Sequence, residues 1–243
     1  MAGAFAWGLL AASSLVIGAA LALRVRIPLR VIGLIMGFGA GVLISAVAFD
    51  LVEEAVGRAS GHGAALAGLF AGCGAFFAGD LLIDRAGGER RKSAAGTVPE
   101  SSGLPIVLGT ILDGIPESLV IGLTIYQGGA IGAAYLTAVF ISNLPEAISS
   151  TAGLAVSGWR PRRILGMWTL IALVSGLASL AGYVLFQHAS GDVVAFVLAF
   201  AAGAILTMLA DTMMPEAYEH GGKLVGVVTT LGFALAFVIQ QLD

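Results

Sequence analysis

The sequence predicts an all-α integral membrane protein of eight transmembrane helices, with both termini extracytoplasmic. Three observations predict it. Of the 243 residues, 58% are hydrophobic and only 11% charged, whereas a soluble domain carries about 25% charged residues. Apolar runs close to the ~20 residues that cross a hydrocarbon core recur eight times. The basic residues also alternate between loops. Among the 12 Lys and Arg, Arg24, Arg26 and Arg30 follow the first run. Arg85, Arg90, Arg91 and Lys92 follow the third, Arg160, Arg162 and Arg163 the fifth, and Lys223 the seventh. Arg58 alone falls in an even-numbered loop. Cytoplasmic loops carry the excess of Lys and Arg, so the odd-numbered loops lie inside.

The spans run over about 4–23, 32–53, 64–83, 104–125, 130–156, 164–187, 193–214 and 223–241. The first has no basic residues before it and is followed by Arg24-Val-Arg26, which reads as a retained signal anchor. The second ends in Asp50, Glu53 and Glu54. These acids form either an outer vestibule that concentrates cations or a solvated helix end. His62, in the following Gly- and Ser-rich loop, lacks the clustered partners that metal ligation needs. Gly68, Gly72, Gly74 and Gly79 of the third span permit close helix packing. Cys73, the one cysteine, excludes an intramolecular disulfide and reads as a packing residue. The stretch 84–103 is basic, then Ser-, Gly- and Ala-rich, and reads as a flexible cytoplasmic loop.

The sixth span has no ionisable residue inside it, and its Ser175 and Ser179 read as packing contacts. His188 and Asp192 fall in the next outer loop as a solvated turn. The seventh span ends in Asp211, Glu216, Glu219 and His220 on the cytoplasmic side, an acidic exit with Asp211 deepest, or again a solvated end. Met208, Met213 and Met214 read as packing.

Spans two and seven carry an internal repeat. Ala40–Ala55 aligns without gaps to Ala202–Ala217, with Ser45 opposite Thr207 and with Phe38 and Phe200 at matching offsets upstream. The two copies point in opposite directions. Spans 1–3 and 6–8 flanking a central pair make a 3+2+3 inverted-repeat arrangement, a transporter architecture.

The central pair carries the chemistry. The fourth span contains Asp113-Gly-Ile-Pro-Glu117 and the fifth Ser142-Asn-Leu-Pro-Glu146. A charge at mid-bilayer costs about 2.5–3.5 kcal/mol on insertion scales, so Asp113, Glu117 and Glu146 call for a cation, a proton or water. Asp113 and Glu117 share a helical face, as do Ser142 and Glu146. Pro116 cannot bond the carbonyl of Leu112, nor Pro145 that of Ile141, which leaves two carbonyls for a neighbour, water or an ion. Ser149, Ser150 and Thr151 continue the polar strip inward. They read either as an exit path or as hydroxyls bonded back to their own helix.

These residues resemble the Zrt/Irt-like protein (ZIP) family of divalent metal transporters, whose fourth and fifth helices carry His-Asn-x-Pro-Glu and His/Gln-Asn/Asp-x-Pro-Glu motifs. Asp113-Gly-Ile-Pro-Glu117 and Ser142-Asn-Leu-Pro-Glu146 occupy those places. Asp50-Leu-Val-Glu-Glu-Ala55 and Asp211-Thr-Met-Met-Pro-Glu-Ala217 also look like the family's segments. The resemblance implies eight helices and a metal site formed by Asp113, Glu117, Asn143 and Glu146, with Ser142 and water. It also implies rocking of spans 1, 4, 5 and 6 against 2, 3, 7 and 8. Asp113, Gly114 and Ser142 stand where the family has His, Asn, and His or Gln. The expected site is therefore oxygen-rich and reduced to one metal position. Oxygen donors suit harder cations such as manganese, and zinc still accepts carboxylates.

The expected function is a permease bringing a divalent cation (zinc, manganese, iron or cadmium) into the cytoplasm, with Asp50, Glu53, Asp211, Glu216 and His220 at entrance and exit. The alternative keeps the fold without transport, for metal sensing or structure. An enzyme is not expected, since the His-Glu-x-x-His helix of metalloproteases is absent, as is any Walker motif. The net charge of −3 suggests no nucleic-acid partner. The expected partners are the metal ions and the bilayer, and no cofactor beyond the transported ion is expected. The expected location is the cell membrane, as in a prokaryotic inner membrane, and the sequence leaves a homodimer open.

Overall fold

A computed structural model describes residues 1–85, 103–126 and 133–241. The stretch expected to form the basic cytoplasmic loop lies, from 86 to 102, outside the described residues. All regular structure among them is helical. Counting each interrupted rod once, the helices are α1 (Ala2–Arg24), α2 (Leu29–Arg58), α3 (His62–Ile83) and α4 (Gly103–Tyr126). They continue with α5 (Ala133–Val156), α6 (Pro161–Leu185), α7 (Gly191–Gly221) and α8 (Leu224–Gln240). Six of these, α1 to α4, α6 and α7, are long and apolar enough to cross a membrane. The hydropathy of α5 is diluted by Ser142, Asn143, Glu146, Ser149, Ser150 and Thr151, and α8 is a shorter apolar helix.

Local sequence sets the ends. Pro28 and Arg160 take extended backbone conformations before α2 and α6, and Pro161 opens α6 at a position where its missing N–H costs nothing. Gly158, at φ +84°, turns the chain after α5, and the Trp159 N–H reaches back to the Leu154 carbonyl. The left-handed region is open to Gly without strain.

Two helices run past the expected spans. The second was expected to stop near 53 and continues to Arg58. The seventh was expected to stop near 214 and continues to Gly221. Hydropathy follows apolar content, whereas the backbone stays helical through the polar ends, helped in α2 by an Arg58–Glu54 ion pair one turn apart.

Both long rods are interrupted by a π-helical turn, Val47–Val52 in α2 and Leu209–Met213 in α7. These begin at aligned positions of the repeat, since Val47 stands opposite Leu209. Glycine packing follows the same correspondence. A Cβ on Gly72 of α3 would run into the Phe200 carbonyl of α7, and one on Gly232 of α8 into the Phe38 carbonyl of α2. Phe38 and Phe200 are the aligned pair.

Packing divides the helices into two sets. In one, α3 lies along α7, α2 along α8, and α2 also against the end of α7. In the other, α1 lies along α6 and α5, and α4 along α6. The second set has its own core, with Leu15, Leu154, Ile164 and Trp168 almost fully buried. The sets meet chiefly where α2 crosses α5 and where α4 crosses α7.

Cys73 departs from expectation. It was read as packing, yet it is exposed on α3. That helix buries only the narrow face that carries Gly68 and Gly72 against α7, and Cys73 points away from it.

Candidate metal site

Pro116 and Pro145 lie inside continuous helices. The residues around them are buried: Asp113 (5% exposed), Glu117 (2%), Ser142 (4%) and Asn143 (7%), with Glu146 half-buried. Ionisable side chains this deep are rare in transmembrane helices unless they serve an ion or proton path.

Glu117 of α4 and Ser142 and Glu146 of α5 line one small cavity together with Met36 of α2 and Met208 and Met213 of α7. Its volume is about 10 Å³, room for about one water or one bare ion. The lining draws on both helix sets, with Glu117, Ser142 and Glu146 from α4 and α5 and three methionines from α2 and α7. Asp113 and Asn143 are buried nearby but do not line this cavity. Among the described residues, no three His, Cys, Asp or Glu side chains gather closely enough to hold a metal without further donors.

Neighbouring polar groups hold the two central helices in register. The Ser142 hydroxyl donates to the Val139 carbonyl at 3.0 Å, and its oxygen can still accept or coordinate. The buried Tyr135 hydroxyl donates to the Glu117 carbonyl at 3.4 Å and ties α5 to α4 beside Pro116. Beyond Glu146, Ser149 and Thr151 reach across to other helices. Ser149 Oγ donates to Glu216 Oε1 of α7 at 2.5 Å, and Thr151 Oγ1 accepts from Trp168 Nε1 of α6 at 2.8 Å. Ser150 is buried with them.

The entrance and exit candidates separate. On α2 Glu53 is exposed and Asp50 half-buried in the π turn. On α7 Glu216 is buried, His220 half-buried and Asp211 exposed. Asp211 was expected to lie deepest, yet the π turn of α7 rotates it to the surface, and Glu216 is the acid that reaches the interior. Asp192 is held in place by the Ser60 N–H at 2.7 Å and the Ser60 hydroxyl at 2.8 Å, joining the α2–α3 loop to the start of α7. The turn is exposed, as expected, and Asp192 also clamps it to the α2–α3 loop.

Ser175 and Ser179 act as expected of packing residues. Ser179 Oγ donates to the Ala4 carbonyl of α1 at 2.8 Å, and Gly122 of α4 leaves room for the Ser179 carbonyl.

The site residues missed in the sequence are Met36 and Tyr135, and Met208 and Met213 were read only as packing. Nothing in their local pattern separates them from other apolar positions. The repeat could have drawn notice to Met213, which falls in the second copy.

The chain is 24% identical over 192 residues, 77% of its length, to an Arabidopsis thaliana protein named "Putative zinc transporter". The likeness is to a zinc-transporter-like protein. The chain spans 30% of that relative's length, and no family model matches it. With its apolar helices, this makes the chain a multi-pass membrane protein of metal-transporter-like sequence.

Proposed function

We propose that this protein is a ZIP-like permease that carries a divalent cation toward the cytoplasm through the site between α4 and α5. The observation that carries the reading is the meeting of Glu117, Ser142 and Glu146, from two proline-interrupted helices, on one buried cavity of single-ion size. Two carboxylates neutralise a divalent charge, and Ser142 adds a neutral oxygen. Asp113 and Asn143 lie close enough in sequence to join the ligand set when the helices shift. Zinc, manganese, iron and cadmium are the candidate cargoes.

The matched π turns and glycine contacts support an inverted repeat of α1–α3 and α6–α8 around α4 and α5. On this reading all eight helices span the membrane and both termini lie outside. The two helix sets are the bodies that would move against each other, with the site on their boundary. Transport without chemistry on the cargo makes the protein a carrier rather than an enzyme, and its place is a cell membrane such as a prokaryotic inner membrane.

Uptake by liposomes containing the purified protein tests this. Accumulation of zinc, manganese, iron(II) or cadmium, lost in Glu117→Ala, is the expected result. Removing one of two carboxylate ligands is expected to lower the rate about 10- to 100-fold, the range of a charge-assisted contact. Undiminished uptake in both Glu117→Ala and Glu146→Ala would overturn the site. No uptake of any metal, with binding retained, would favour a sensing or structural role.

A further inference from the structure

The oxygen-rich set expected from α4 and α5 is only half of what faces the cavity. We propose that Met36, Met208 and Met213 form a thioether wall that makes this site select thiophilic cations, such as cadmium and zinc, over hard cations such as manganese and magnesium. The inference rests on the permease reading and names the cargo class for that same site.

Three observations carry it. Met36, Met208 and Met213 line the same enclosed space as Glu117, Ser142 and Glu146. Thioethers are soft donors, and carboxylate-only sets suit harder ions. Second, the space is about 10 Å³, so an ion cannot enter with its water shell. It must accept the atoms of the wall as neighbours. Magnesium sheds water reluctantly and gains least from sulfur. Third, the methionines are held in place. Gly39 of α2 leaves room for the terminal methyl of Met213 beside Ser142, since a Cβ there would stand 3.1 Å from Met213 Cε and 3.4 Å from Ser142 Cα. Met208 is 4% and Met213 5% exposed, so neither thioether is a surface residue.

The donors are also split between the two helix sets: oxygens on α4 and α5, sulfurs on α2 and α7. An ion bound by both spans the boundary. Separation of the sets would withdraw the sulfur donors and weaken the hold on a soft ion most.

The test uses the full chain in liposomes and in detergent, with cadmium and manganese as probes. The variants are Met208→Leu, Met213→Leu, the pair together, and Met36→Leu. Leucine keeps the volume at modest cost. Met167→Leu, in the separate core of α1, α5 and α6, is the control. X-ray absorption at the cadmium edge of the bound protein reads sulfur neighbours directly. The expected result is a Cd–S signal in the unmodified protein that is lost in the paired variant. A fall of about tenfold or more in the cadmium-to-manganese uptake ratio should accompany it. Met167→Leu should change neither.

Cadmium uptake with no Cd–S signal, or an unchanged ratio in every Met variant, would overturn the thioether wall and leave the permease standing. A Cd–S signal lost in the variants, with no uptake of either metal, would uphold the wall and remove the permease. No cadmium binding at all would remove both.

Discussion

Ser149 and Thr151, three and five residues beyond Glu146, show how a side chain near the candidate metal site can matter without lining it. Ser149 supplies a short bond to Glu216, a buried carboxylate on the opposite helix set. Ser149→Ala is expected to destabilise the protein by about 1–3 kcal/mol, the cost of taking a donor from a buried acid. Thermal unfolding in detergent would read the loss, and Ser149→Thr should recover most of it. An unchanged melting temperature would mean that Glu216 is satisfied without this hydroxyl. Thr151→Val removes the acceptor of the Trp168 indole N–H, inside a core where Trp168 is fully buried. The expected loss is about 1–3 kcal/mol, because the N–H is then stranded away from water. At this scale the sequence disclosed which residues are polar and deep, but not their partners. Whether Ser149 bonds back to α5 or across to α7 depends on how two distant helices cross. The same gap hid the methionines, since Met208 and Met213 in an apolar helix look like filler until α4 and α5 are brought against them.

At the scale of the helix, the most informative signal was the repeat from Ala40 to Ala55 and from Ala202 to Ala217. Its physical content is a matched pair of π turns. A π turn inserts a residue into the helix and rotates everything after it, and such turns gather at functional sites. That rotation explains why Asp211 is exposed while Glu216 is buried, an outcome that α-helical spacing could not foresee. The helix ends were misplaced for a separate reason, since hydropathy does not register helical backbone made of Glu53, Glu54 and Arg58. Of the glycines of α3 read as close-packing positions, Gly68, Gly72 and Gly79 meet a neighbouring helix, whereas Gly74 faces open space. Gly72→Leu and Gly232→Leu each place a large side chain where a backbone carbonyl of the partner helix stands. Overpacking in a well-packed interior typically costs about 1–3 kcal/mol, and more where backbone is the obstacle. Both variants should shift the protein from a single peak to aggregate on size-exclusion chromatography. Gly74→Leu, where a Cβ meets nothing within 4 Å, should not. Equal behaviour of the three would mean that these close contacts do not hold α3 to α7 or α8 to α2.

The whole molecule is two helix sets in contact, and its orientation in the bilayer decides which side of the site is entrance and which is exit. On the proposed orientation the turns that carry the basic residues at Arg24–Arg30, Arg160–Arg163 and Lys223 lie inside. Asp192 and Ser60, which clamp the α2–α3 loop to the start of α7, then face outside. Cys73 is the one native cysteine, so Cys73→Ser gives a background free of thiols. Gly61→Cys in that background puts a thiol in the α2–α3 turn, where added atoms meet nothing within 4 Å. Ser157→Cys puts one in the turn after α5. Intact cells treated with a membrane-impermeant maleimide should label Gly61→Cys and not Ser157→Cys, and permeabilised cells should label both. The reverse pattern would invert the molecule. The acids at Asp50 and Glu53 would then face the cytoplasm and Glu216 the exterior. A cation path entering beside Asp50 and leaving past Glu216 would carry metal outward instead of inward. Labelling of both positions in intact cells would mean that the turns before α3 and after α5 share a side, which an even number of crossings between them would require. There are three helices between them, α3, α4 and α5, so that result would leave one of these unable to span. The first candidate would be α5, the helix whose polar residues dilute its hydropathy most.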